Sequence, residues 1–140
     1  MTVVFTDTNI VVYAYASNPR KSPVAEAIVR PGPVISTQIV NEFLNVARIK
    51  MGLDRDTRHK IAQNLLRGCT VVPLDTQVVA KAMAIEAKYQ VSYWDALVMA
   101  AALVAGCDTL YSEDIQDGQV FEDRLTVRNP FASPTLVAAP

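Results

Sequence analysis

The chain has 140 residues, 51% of them apolar, and its 13 basic and 14 acidic side chains leave a formal charge of −1. That length and apolar content suit one domain whose core needs no metal or disulfide staple, and the near-zero charge excludes a global positive field of the kind that drives non-specific nucleic-acid binding. Cys69 and Cys107 stand far apart without CxxC spacing, which argues against a zinc or disulfide framework and reads as reduced thiols in a cytoplasmic protein.

A first strand is expected at residues 3–6, so Asp7 leaves its carboxyl end, where an α/β sheet places its ligands. Asp-Thr-Asn is also good turn and cap chemistry, and that structural role stands beside the metal-ligand role. A second strand at 33–36 leads to a helix starting at Thr37 and running through QIVNEFLNVARIK. On that helix the same-face neighbours of Glu42 are Ile39, Val46 and Ile49, all apolar. A carboxylate in a buried stripe needs a cation, an arginine or escape into a polar cavity; the alternative is that Glu42 borders a wide apolar face.

Asp54 opens the next helix, RDTRHKIAQNLLR, where the lone His59 falls on an exposed, charged face. A strand at 70–73 follows, and Asp75 opens TQVVAKAMAIEAKY. Ser92 opens YWDALVMAAALVA, a helix that must be largely buried, because Asp95 is its only charged residue. Asp95 lies in the first turn, where the helix dipole favours an anion and where Ser92-x-x-Asp95 matches a capping box. Tyr93 and Trp94 are expected to pack in the core or a dimer interface, with base stacking as the other role open to them.

A strand at 109–112 delivers Asp114 beyond its carboxyl end, beside Ser112 and close to Asp117. Glu113 is the weakest candidate there, since its neighbour on an extended segment points the other way. A last strand is expected at 125–127. Gly52, Gly68 and Gly106 sit beyond helical runs, where a left-handed closing residue is cheapest as glycine.

Alternating strands and helices without internal repeats give an α/β class: a mostly parallel sheet covered on both faces, in one domain over residues 1–131 with a tail at 132–140. The opening residues carry no basic, apolar leader, and no apolar run approaches the ~20 residues of a bilayer span, so no membrane association is expected. Four carboxylates converging at one end of a sheet repel one another unless protons or cations neutralise them. Oxygen-only ligands favour magnesium or manganese over zinc, and magnesium combines one or two carboxylates with water and substrate phosphate. That chemistry is a phosphodiester hydrolase.

The segments FTDTNIVVYAY, STQIVNEFLNV, VSYWDALVMAAAL and LYSEDIQDGQ with VRNPF, in this order and almost end to end, resemble the PIN-domain ribonucleases, especially the VapC-type toxins of bacterial toxin–antitoxin pairs. The resemblance implies a three-layer α/β/α sandwich, cleavage of single-stranded RNA with magnesium or manganese, frequent homodimers and a small antitoxin partner. It makes Asp7, Glu42, Asp95 and Asp114 the metal-site acids, with Asn9 and Ser112 in support. The departure is the fourth acid: against a TRNxxDF-like segment Ser112, Asp114 and Asp117 take the places of the first Thr, the Asn and the later Asp, so Asp117 stays open as a metal ligand. An RNA-processing nuclease that is not a toxin, or a non-catalytic interaction protein on the same fold, are the alternatives. Arg48, Lys50 and Lys88 are candidates for RNA contact, each also at home as a solvated surface charge. The final SPTLVAAP matches no familiar motif and is expected to be mobile.

Overall fold

The computed structural model describes residues 2–132, so the tail expectation for 133–140 lies outside the described residues. In chain order the elements are β1 (Val4–Thr6), α1 (Thr8–Ala14), α2 (Ser22–Val29), β2 (Val34–Ser36), α3 (Thr37–Ile49), α4 (Arg55–Gly68), β3 (Thr70–Val72), α5 (Thr76–Tyr89), α6 (Tyr93–Val104), β4 (Thr109–Tyr111), β5 (Val120–Phe121) and β6 (Leu125–Arg128). The strands form one sheet in the order β3-β2-β1-β4-β6-β5, parallel except for β5 against β6.

The central strand, β1, pairs with β2 on one side (Phe5 opposite Val34) and with β4 on the other (Phe5 opposite Leu110). From β1 the chain first builds outward through β2 to β3, then crosses back to add β4 on the far side. Right-handed crossovers running in opposite directions place their helices on opposite faces. The helices accordingly separate into a group of α1 to α4, which pack on one another, and an α5–α6 pair. This is a three-layer α/β/α domain, and its topological switch point is the crevice between β1 and β4.

The inner strands supply much of the core: Phe5, Ile35, Leu110, Leu125 and Val127 are fully buried, and so are Ile39 and Phe43 of α3, whereas the edge strand β3 has no fully buried residue. In α6 every residue from Ala96 to Leu103 is buried, as a helix with a single charge requires, and its four alanines let the helix lie close to its neighbours. A smaller cluster of Ile10, Ala25, Ile28 and Phe131 joins α1 and α2 to the end of the described chain. No helix among the described residues is long and apolar enough to cross a membrane.

Local cap chemistry sets most helix starts. Asp54, Asp75 and Ser92 each accept a backbone N–H three residues on. The start expected at Thr37 moves one residue: Ser36 is the N-cap without a side-chain bond, and Thr37 Oγ1 instead accepts the amide of Leu74. Gly52 and Gly106 take left-handed conformations (φ 63° and 77°), but Gly68 is the last residue of α4 rather than its closing residue, and α5 closes on Gln90 at φ 57°. Gly32 (φ 81°) meets a stronger demand, because a Cβ there would stand 2.1 Å from the carbonyl oxygen of Gly68.

Two apolar residues depart from their expected burial. Ile49, read as part of the buried stripe of α3, is 60% exposed, because the stripe runs out in the helix's last turn. Trp94, expected in the core or in a dimer interface, is 66% exposed in the single chain, carried outward in the first turn of α6, which removes the core placement only. Strand β5 was not expected: two residues carry no readable period, and the turn after it uses Glu122 and Asp123 at positive φ, where Asn-Gly is the usual signal.

Candidate functional site

The backbone brings Asp7 and Ser112 together at the switch point. The Asp7 amide donates to Tyr111 O at 3.0 Å, and Ser112 N donates to Arg128 O at 3.0 Å, so both strand ends are fixed by the sheet ladder just where their polar side chains begin. Ser112 Oγ then donates to Asp7 Oδ2 at 2.8 Å while accepting the amides of Asp114 and Ile115 at 3.2 and 3.3 Å. One buried hydroxyl thereby orients the first acid and shapes the loop that carries the last.

Asp7 is only 7% exposed, and its other oxygen accepts the Thr8 amide at 2.8 Å as the N-cap of α1. The same Thr8 donates its hydroxyl to Glu42 Oε1 at 2.7 Å, and the next residue, Asn9, donates its side-chain amide to Asp114 Oδ2 at 2.9 Å. Thr8 and Asn9 thus reach two acids, from α3 and from the loop after β4, toward the third. Glu42 is part-buried at the border of the buried face formed by Ile39, Val40, Phe43 and Ala47, the alternative left open for it, and it lines a cavity of about 480 Å³ together with Asn9, Asn45, Lys50 and Asp114.

Electrostatics give an independent view of the convergence. Burial pushes the Asp7 carboxyl up to about 6, and the charges of Glu42 and Asp114 add to the shift, against the hydrogen bonds from Ser112 and Thr8, which lower it. Asp95 is raised mainly by burial, with Ser92 favouring its ionised form and Asp114 opposing it. Asp95 therefore feels the cluster through the field of Asp114, but it makes no side-chain hydrogen bond to the other acids; its amide is capped by Ser92 Oγ at 3.1 Å.

Asp117 stands apart, accepting the Asn129 amide at 2.8 Å. Glu113 points away from Asp114 as expected, toward Lys21 and Tyr13. Of the basic candidates, Lys50 borders the cavity, Arg48 is exposed on α3, and Lys88 is paired with Glu122 at 2.8 Å. His59 is exposed on α4, and both thiols are free. The sequence reading missed Thr8, whose place between Asp7 and Asn9 was its only signal, and Asn45, which shares a face with Glu42 at i+3. A second cavity, about 380 Å³ beside Tyr15, Arg30 and Cys69, includes none of the candidate acids.

Among the described residues, no three acidic, histidine or cysteine side chains are close enough to hold a metal ion by themselves. The donor chemistry nonetheless fits a hard ion that keeps most of its waters. Asn9 bears on this directly: its amide nitrogen faces Asp114, which turns Oδ1 away, and that buried oxygen has no protein partner. A buried acceptor without a protein partner calls for water or a cation, as it does for Thr6 Oγ1 and Ser36 Oγ at the ends of β1 and β2.

The family model for the PIN domain matches residues 4–117. No curated protein sequence matches the chain. Among solved structures, the fold is similar to the VapC20 toxin of Mycobacterium tuberculosis, described as cleaving the sarcin–ricin loop, with 17% identity and a TM-score of 0.66 over 79% of this chain and 89% of that one. A toxin–antitoxin complex from Klebsiella pneumoniae gives 18% identity and a TM-score of 0.68 over 92% and 98% of the two chains. FitAcB from Neisseria gonorrhoeae gives 17% and 0.69 over 94% and 100%.

Proposed function

The chain belongs to the PIN-domain family, and from that premise we propose that its acidic cleft is the active site of a magnesium- or manganese-dependent endoribonuclease acting on single-stranded RNA, the toxin of a toxin–antitoxin pair. The observation that carries this reading is the gathering of Asp7, Glu42 and Asp114 around Thr8 and Asn9 at the switch point of the sheet.

In the proposed mechanism Asp7, Asp95 and Asp114 would hold one or two divalent ions, largely through water, with Asn9 Oδ1 as a neutral oxygen donor. Such an ion would supply positive charge beside the phosphate and lower the pKa of a water positioned for attack. Glu42 has one oxygen fixed by Thr8, which leaves the other to bind the metal or to orient that water and take its proton. Ser112 keeps Asp7 in place, and Lys50 on the cavity wall attracts the RNA backbone.

The antitoxin role in this reading draws on the fold neighbours, one of which is a toxin–antitoxin complex. An arginine from such a partner would satisfy the same carboxylates by charge-assisted hydrogen bonds, so its binding and metal binding should be mutually exclusive. Pairing of two copies belongs to the proposal as well. Val79 and Met83, one turn apart on α5, are both exposed and give an apolar surface for it.

The decisive experiment incubates the purified protein with single-stranded RNA, with magnesium, with manganese and with chelator. Cleavage that needs the metal and is lost in Asp7→Asn and Asp114→Asn, at unchanged circular dichroism, supports the reading. Metal-dependent cleavage retained in both variants places the chemistry elsewhere, and a protein that neither cleaves nor binds a divalent ion is a non-catalytic scaffold.

A further inference from the structure

A polar network outside the acidic cluster touches the same loop. Tyr13 and Asn9 lie one turn apart on α1 and so share a face. They reach two consecutive residues of the loop after β4: Asn9 bonds Asp114 at 2.9 Å, and the Tyr13 hydroxyl donates to Glu113 Oε1 at 3.2 Å. Lys21, just ahead of α2, donates to the same hydroxyl at 3.2 Å and closes a direct ion pair with Glu113 Oε2. Its ammonium also lies 4.7 Å from the ring centre of Tyr13 and 5.2 Å from that of Phe131, and the two rings meet edge to face at 5.2 Å.

Tyr13 and Lys21, 100 and 92 residues away from it in sequence, are therefore ordered around a single carboxylate. The Lys21 and Glu113 side chains are part-buried, at 20% and 25% exposure, so losing the pair costs some stability. What the network controls beyond that is direction. Glu113 is covalently next to Asp114, in a loop that borders the acidic cavity, and Tyr13 lines that cavity too. An unpartnered Glu113 would be free to turn toward the cavity and add a further negative oxygen ligand to a set already short of positive charge.

We propose that Lys21 and Tyr13 are positioning residues for Asp114: by holding Glu113 on the outer side of the loop they keep it from joining the metal ligands. The proposal rests on the nuclease reading above and deepens it. It assigns a role to Glu113 that is the reverse of a ligand's, namely an acid that must be kept out.

The test compares Lys21→Met with Lys21→Met/Glu113→Gln and with Lys21→Arg, reading RNA cleavage, Mn2+ binding by electron paramagnetic resonance, and hydrogen exchange of the amides at residues 113–115 in metal-free protein. Lys21→Met should lower kcat by roughly tenfold or more with KM within about threefold, because an element of transition-state geometry is lost rather than substrate binding. It should at the same time bind Mn2+ more tightly, by about threefold or more, as the freed carboxylate enters the site, and its loop amides should exchange faster. Removing the freed carboxylate in the double variant should return kcat and Mn2+ affinity to near the parent values, and Lys21→Arg should retain both.

Unchanged Mn2+ affinity and kcat in Lys21→Met would overturn the proposal. So would a double variant as slow as the single one with a lowered melting temperature, which is the signature of packing alone. The parent protein separates the two levels: if it does not cleave RNA, the nuclease reading fails, while Mn2+ binding and hydrogen exchange in the Lys21 variants still decide the positioning role.

Discussion

Asp7 carries a cost that can be measured without any catalytic assay. Its carboxyl is raised from 3.8 to about 6 in the folded protein, first by burial and then by the charges of Glu42 and Asp114. Above pH ~6 the group is ionised in both folded and unfolded chains, so the folded state bears the full penalty of about 3 kcal/mol; below pH ~4 it is protonated in both and the penalty is gone. Metal-free protein should therefore lose stability through this group as pH rises across that window, the reverse of the usual carboxylate contribution. Asp7→Asn removes the charge and keeps an oxygen for the Thr8 amide. It places an NH2 against Ser112 Oγ, which already accepts two backbone amides, at a cost of about 1 kcal/mol. The variant should be more stable than the parent by about 2 kcal/mol near neutral pH and less stable by about 1 kcal/mol near pH 4, with the curves crossing between. Urea melts in chelator, followed by circular dichroism at several pH values, give the difference directly. A difference constant across the window would refute the reasoning, since a pH-independent offset reports a packing change and no relieved charge. Adding magnesium should restore the parent preferentially, because a ligand that binds only the folded state stabilises it by mass action.

Gly32→Ala should destabilise the protein by about 2–4 kcal/mol in the same melts, since the new Cβ meets the Gly68 carbonyl at positive φ. Lys50→Gln should raise KM for RNA by roughly threefold to tenfold with a smaller effect on kcat, whereas Lys88→Gln, whose partner is Glu122, should leave both unchanged; equal effects in steady-state kinetics would remove Lys50 from the substrate path. Met83→Glu should shift the sedimentation of the protein toward monomer, and an unaltered profile would place any self-association on a surface other than α5.

What the sequence disclosed about this fold and site was what local chemistry specifies. Asp54, Asp75 and Ser92 cap their helices through atoms three residues away, so composition and spacing suffice to place them. Asp7 and Ser112 were legible because an acid or hydroxyl following a β-rich run leaves a strand at its carboxyl end. Glu42 stood out against its apolar neighbours, although of the stripe read around it only Ile39 is fully buried. The unreadable parts are the partnerships that cross about a hundred residues: Asn9 with Asp114, Tyr13 with Glu113 and Lys21 with Glu113. No periodicity encodes them, since each depends on the crossover that sets β4 beside β1. Strand β5 and the turn at Glu122 and Asp123 were hidden for another reason, because their backbone is imposed by pairing with β6 against the residues' own preference.

At Asp7 and Asp95 a structural role as a cap stands beside the proposed chemical one, and at Asp7 the geometry leaves room for both. Each carboxylate oxygen has two lone pairs. Asp7 uses one on the Thr8 amide and one on the Ser112 hydroxyl, which fixes the plane of the carboxylate and leaves a lone pair on each oxygen for a cation. A cap is therefore a means of aiming the acid, as the bond from Thr8 is for Glu42 and the bond from Asn9 is for Asp114. Repulsion among the acids is built in by the same contacts, since a group locked by its cap cannot turn away from its neighbours. The site is thus assembled by bonds that favour ionised carboxylates one at a time, in a place where burial and mutual repulsion oppose ionising them together. Under the proposed reading a divalent ion would resolve that opposition, and in its absence protonation of Asp7 relieves it in part.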